Sequence, residues 1–207
     1  MKENKKLFML TSFLMLLPIA AGMILWGRLP ESIATHFDFG GNADGYSSRA
    51  AVVFALPVFM LAVHIICAFG VSADKANENG NFKAKSLVMW ICPIVSVTVF
   101  TLIYAKALGY DIDIVRCSML LSGFLFMITG NYMPKFRQNH TIGIRLPWTL
   151  ASEENWYKTH RLAGKIWVVG GIVLLVGTLT PFCGILFAAV IAAITLIPTV
   201  YSAKIAA

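Results

Sequence analysis

The sequence predicts an all-α integral membrane protein with six transmembrane helices, both termini in the cytoplasm and a short interfacial helix before the fifth span. Three observations predict it. The 207-residue chain is 58% hydrophobic and only 13% charged, with a mean hydropathy of +0.75, whereas a typical soluble domain is about 25% charged. No single soluble core of this size encloses so much apolar side chain. Six apolar runs reach or approach the roughly 20 residues that cross hydrocarbon as a helix. They are continuously apolar and lack the two-residue alternation of barrel strands, so helices are the reading.

The runs cover 7–27, 51–70, 87–108, 114–128, 166–179 and 182–203. The first follows Lys2, Lys5 and Lys6 and contains Ala20-Ala21, which invites comparison with a signal peptide. It continues through Trp26 and exceeds the usual apolar region of about 7–15 residues, so it is read as a retained span. The second carries His64, which must face the bundle and find a hydrogen-bond partner. With no second His, Asp or Glu beside it in the spans, a structural histidine is the favoured reading over a functional one. The fourth opens with Arg116, placed to snorkel outward or to pair with Asp111 or Asp113. The fourth and fifth runs are short, and residues 130–133 and Gly164 lengthen them toward the interface. Pro18, Pro57, Pro93 and Pro198 lie inside spans, where each frees a carbonyl and kinks its helix. Gly170, Gly171 and Gly177 permit close packing in the fifth. Cys67, Cys92, Cys117 and Cys183 fall singly in or at the ends of different spans and form no Cys-x-x-Cys, so they read as buried free thiols.

Basic residues give the orientation. One side receives Lys2, Lys5, Lys6, Lys75, Lys83, Lys85, Lys135, Arg137, Arg145, Lys158, Arg161, Lys165 and Lys204; the other receives Arg28, Arg49, Lys106 and Arg116. Thirteen against four places both termini and the segment 130–165 in the cytoplasm. The net charge of +7 then reflects topology and contact with anionic lipid, and no direct nucleic-acid binding is expected.

The outer loop 28–50 holds Gly40-Gly41 and Asp44-Gly45, pairs that call for tight turns with positive φ and hence an ordered backbone. Asn42, Asp44 and Gly45 imitate positions three, five and six of an EF-hand loop, but Gly40 and Ala51 stand where its first and twelfth ligands belong. His36 with Asp38 falls short of a zinc site. Asp38, Asn42 and Asp44 are therefore read first as turn caps, with an irregular cation site on the same three residues as the lesser alternative, and no metal is assigned. His36, Asp38, Asn42, Asp44, Gly45 and Arg49 make this loop the candidate outer recognition surface.

The inner segment 130–165 divides in two. From Asn131 to Thr149 it holds Pro134, Gly143 and Pro147, which preclude a long helix, and the donors Lys135, Arg137, Gln138, Asn139, His140 and Arg145. Such a concentration suits anionic headgroups or a partner surface. The sequon Asn139-His140-Thr141 is a chance match on a cytoplasmic segment. From Ser152 the pattern turns helical, with Ser152 as N-cap and Glu153-Glu154 at the positive end of the helix dipole. Trp156, His160, Ala163 and Trp167 recur on one face, and Lys158, Arg161 and Lys165 form a basic stripe. An interfacial helix with Trp148 and Trp156 at headgroup level is expected.

The run GNYMPKFRQNHTIGIRLPWTL, followed by Trp156, Lys158, Arg161 and Lys165 in ENWYKTHRLAGK, resembles the SdpI family of bacterial immunity proteins. The outer loop LPESIATHFDFGGNADGYSSR resembles the domain of unknown function DUF1648. The resemblance divides the chain into 1–110, a DUF1648-like region with three spans, and 111–207, an SdpI-like region with three more. It implies a multi-pass protein of the bacterial plasma membrane that confers resistance to a secreted, membrane-active killing peptide. For the founding type it also implies a signalling role, in which a cytoplasmic transcriptional repressor is held at the membrane. The motif residues it carries over are Gly130, Asn131, Asn139, Gly143, Arg145, Pro147, Trp148, Thr149 and Trp156; Leu146 stands where the family commonly has Thr.

The alternatives are a small multi-pass transporter and a membrane scaffold. A transporter calls for broken helices in related halves with charges at the midplane, toward which only His64 and the prolines point. The chain holds no His-Glu-x-x-His, Gly-x-Ser-x-Gly or phosphate-cradling glycine loop, so neither catalysis nor a cofactor is assigned.

Overall fold

A computed structural model describes residues 2–74 and 82–206; Lys75, counted above on the inner side, lies outside them. In chain order the elements are α1 (Lys2–Leu14), α2 (Leu17–Leu25), the strands β1 (Ser32–Phe37) and β2 (Ala43–Ser48), and a π-helical turn (Ala51–Ala55) leading into α3 (Leu56–Ala73). They continue with α4 (Phe82–Ala107), α5 (Ile114–Tyr132), a 3-10 turn (Met133–Lys135), α6 (Pro147–Ala151), α7 (Glu153–Gly177) and α8 (Cys183–Lys204). Among the described residues six helical stretches are long and apolar enough to cross a membrane, one for each predicted run.

The proline effects are local and readable. Pro18 sits at the second position of α2 and has no N–H to offer the carbonyl four residues before it, so the first span breaks at Met15-Leu16 instead of running straight. Leu16 N–H turns back to the Phe13 carbonyl at 3.0 Å. Ahead of Pro57 the backbone widens into the π turn, with Leu56 N–H donating to the Ala51 carbonyl, which relieves the crowding a proline ring imposes on the preceding turn. Pro93 and Pro198 stay inside continuous helices. The interfacial helix and the fifth span, expected as separate elements, form the single helix α7; the short element preceding it is α6.

By packing, the chain forms two units, Met1–Phe69 with Val88–Cys117 and Gly70–Leu87 with Ser118–Ala207. In the first, Leu29, Ile33, Val52, Val53, Phe100, Ile103 and Tyr104 are buried together, and Ala21, Leu25, Leu56 and Met60 pack on them. The Tyr104 hydroxyl donates to the Pro18 carbonyl at 3.0 Å, tying α4 to the start of α2. His64 is fully buried; its Nε2 lies 3.1 Å from Thr11 Oγ1, and its ring stacks on Phe8 at 5.9 Å. The partner is thus a hydroxyl on α1. The Thr11 hydroxyl donates its one proton to the Leu7 carbonyl at 2.9 Å and so accepts from His64 Nε2–H.

In the second unit α5 and α7 touch backbone to backbone. A Cβ on Gly164 would lie 2.6 Å from the Gly130 carbonyl oxygen, and one on Gly171 would lie 2.6 Å from that of Gly123. Both pairs are seven residues apart along their helices, so they recur on one face. Lipid tails are as apolar as leucine, and helices in a bilayer gain chiefly by such close contact. Trp167 bridges to α8 by donating to the Ile194 carbonyl at 3.1 Å and meets Phe126 of α5 edge-on. Ile24, Phe59, Ile66, Phe69, Val169, Val176 and Ile185 stay exposed, the inverse of a soluble surface.

Candidate functional site

The inner segment is built by its own polar residues. Asn139 is buried, and its Nδ2 donates to the carbonyls of Arg137 at 2.8 Å and Ile142 at 3.0 Å. Its Oδ1 accepts from the N–H groups of Thr141 at 2.9 Å and Ile142 at 2.6 Å. Both amide protons and both oxygen lone pairs are used, which closes the turn 139–142 without secondary structure. Gly143 follows at φ +112°, and a Cβ there would strike the His160 ring; glycine meets both demands.

His160 fastens the loop to α7. Its Nδ1 lies 2.8 Å from the Trp156 carbonyl, and its Nε2 accepts from Ile144 N–H at 2.9 Å, so the ring is neutral with the proton on Nδ1. Trp156 stacks on His160 with ring centres 4.0 Å apart and donates from Nε1 to the Phe136 carbonyl at 2.8 Å. Thr149 accepts from Leu146 N–H at 2.8 Å, with the Ile144 carbonyl 2.8 Å from its hydroxyl, and starts α6. Ser152 caps α7 as expected, accepting from Asn155 N–H at 3.2 Å. Trp148 donates to Ser202 Oγ at 2.9 Å and Asn155 Nδ2 to the Ser202 carbonyl at 2.9 Å, anchoring α6 and α7 to the end of α8.

The motif residues therefore fall into two groups. Asn139, Thr149 and Trp156 are buried, Gly143 and Trp148 are half-buried, and Gly130 is buried at the α5–α7 contact. Trp156 lies inside the fold and not on a lipid-facing surface: a buried indole N–H needs a protein acceptor and finds the Phe136 carbonyl. Asn131, Arg145 and Pro147 are exposed, as are Lys135, Arg137, His140, Lys158, Arg161 and Lys165. Arg145 donates from Nη1 to the His140 carbonyl at 2.9 Å, which aims the guanidinium and leaves donors available. Buried braces thus display a cationic surface. Asn155, His160 and Ser202 were missed as braces; the four-residue spacing of Trp156 and His160 was the available sign for one of them.

The outer loop is a β-hairpin. Ser32 pairs with Ser48, Ile33 with Ser47 and Ala34 with Tyr46, and the register slips around His36. Gly41 takes positive φ at the tip, as the paired glycines led one to expect, whereas Gly45 lies in β2 opposite His36, where a Cβ would come within 2.8 Å of the His36 Cβ. Asp38 caps the tip, accepting from Asn42 Nδ2 at 3.0 Å and from the N–H groups of Asn42 and Gly40 at 2.8 Å each. These bonds, the Asn42 side chain first, hold its carboxyl below the ordinary value of 3.8. His36 Nδ1 meets Asp44 Oδ1 at 2.5 Å on the exposed face. Arg49 donates to the Trp26 carbonyl at 3.0 Å and lies over its ring, so it secures the base of the hairpin to the end of α2.

Residues 135–202 match the SdpI/YfhL protein family, and residues 13–61 match the domain of unknown function DUF1648. Similarity to known proteins thus falls on the inner segment with its two following helices and, separately, on the hairpin region. The chain is 28% identical over 177 residues to "Immunity protein SdpI" of Bacillus subtilis (strain 168), covering 85% of this chain and 81% of that one. No solved structure matches. With six helices among the described residues long and apolar enough to cross a membrane, the chain is a multi-pass bacterial membrane protein. The SdpI region begins in the 3-10 turn and takes in the braced loop, α6, α7 and all but the end of α8; the DUF1648 region contains the whole hairpin.

Proposed function

We propose that this protein confers immunity to a secreted, membrane-active killing peptide. The observation that carries the reading is likeness to an immunity protein along 85% of the chain, spanning both regions. The hairpin supports it physically. Its outward side chains, including His36, Asp44 and Tyr46, stand on a backbone fixed by Asp38 and Arg49, and a preorganised surface loses little entropy on binding.

The braced inner surface favours a second activity, capture of a cytoplasmic transcriptional repressor by Arg145, Asn131 and Pro147. Peptide bound outside alters affinity inside only by binding two arrangements of the helices unequally. The deciding experiment expresses the chain in a sensitive bacterium challenged with membrane-active peptides. Protection against at least one is expected, and protection against none sinks immunity. Arg145→Ala separates the two activities: repressor capture is lost while resistance stays, and a variant that keeps both removes Arg145 from the capture surface.

A further inference from the structure

Asp74 is the first residue beyond α3 and lies outside both matched regions. Its Oδ2 accepts from His140 N–H at 2.8 Å and from the Thr141 hydroxyl at 3.1 Å. Both donors belong to the turn that Asn139 closes, 66 and 67 positions away in sequence. The turn's internal bonds fix its shape, His160 holds the chain just beyond it at Ile144, and Asp74 adds a tie from just past the end of α3. Arg145 in turn donates to the carbonyl of the same His140 whose N–H Asp74 holds. A chain of contacts therefore runs from Asp74 through His140 to the exposed guanidinium.

We propose that Asp74 is a positioning residue of the inner surface: its carboxylate fixes the turn 139–142 to residues 70–74 and so sets where Arg145 stands. A carboxylate suits the task, because a charged acceptor makes shorter and stronger bonds than a neutral one and one of its oxygens receives both donors. The inference deepens the capture reading by naming what presents the surface, and it rests on that reading only for its consequence.

The test reads the loop without peptide or repressor. In the full-length chain with its four native cysteines replaced, Ile142→Cys puts a thiol at a site only 6% exposed. Labelling by an impermeant maleimide in inside-out vesicles then measures how often the loop opens. Asp74→Ala is expected to raise the rate on the order of tenfold, and Asp74→Asn, which keeps an acceptor oxygen, to restore slow labelling. An unchanged rate in Asp74→Ala overturns the proposal, as does an Asp74→Asn variant that labels as fast as Asp74→Ala. Should Asp74→Ala fail to accumulate, Thr141→Val removes one donor and is expected to speed labelling roughly fivefold; no increase overturns the proposal equally. Because no partner enters the assay, these outcomes stand apart from any failure of immunity or capture.

Discussion

At Gly143 two constraints meet, a φ of +112° and a Cβ direction blocked by His160. Gly143→Ala is expected to destabilise the purified protein by about 2 kcal/mol or more, the cost of a strained backbone with a collision added. Thermal unfolding in detergent checks it, and an unchanged midpoint would mean the loop shifts freely. Asp38 makes a prediction about pH. Its carboxyl is depressed in the folded hairpin, so the stabilisation it provides is fully present above 3.8 and is lost as pH falls through the lower folded value. The amide resonances of Gly40 and Asn42 should stay constant near neutrality and titrate together below 3.8; titration near neutrality would contradict the capping role. The sequence showed that Asp38 and Gly143 carry turns. It did not show that Asn139 uses all its bonding capacity inward while Arg145, six residues on, faces out, because the partners of each are set by packing.

Elements were legible wherever the signal is local. A run of apolar residues marks a span whatever lies beside it, and Ser152 with two glutamates marks the start of α7. The hairpin was harder: of its two glycine pairs only the first makes the turn, and nothing local tells a turn glycine from one facing a crowded cross-strand neighbour. Trp156 tests the brace against the anchor. Trp156→Phe keeps an aromatic ring but removes the Nε1–H that satisfies the buried Phe136 carbonyl, so a loss of about 1–3 kcal/mol is expected. A headgroup anchor would tolerate the change, and equal stability of the two proteins would favour that role. The α5–α7 contact predicts a response at least as large. Gly164→Leu must separate two backbones whose contact leaves no room for a Cβ, and a loss of at least 1–3 kcal/mol is expected from overpacking, read again by thermal unfolding.

For the whole molecule, the thirteen-to-four bias of basic residues predicts that Asp44→Cys reacts with an impermeant reagent in intact cells, whereas Arg145→Cys reacts only in inverted vesicles. The reverse pattern would exchange the roles of the hairpin and the inner segment. Composition along the chain marks the class and the six spans, and the placement of basic residues sets the expected side of each candidate surface. Each of these depends on transfer of side chains between water and lipid, a property that accumulates along the chain and needs no partner. Tertiary structure alone decided which motif residues brace and which face out, that Thr11 is the partner of His64, and that Asp74 reaches the turn 139–142. Those depend on which donor meets which acceptor once distant segments pack, and a buried polar group must be satisfied wherever the fold brings a partner.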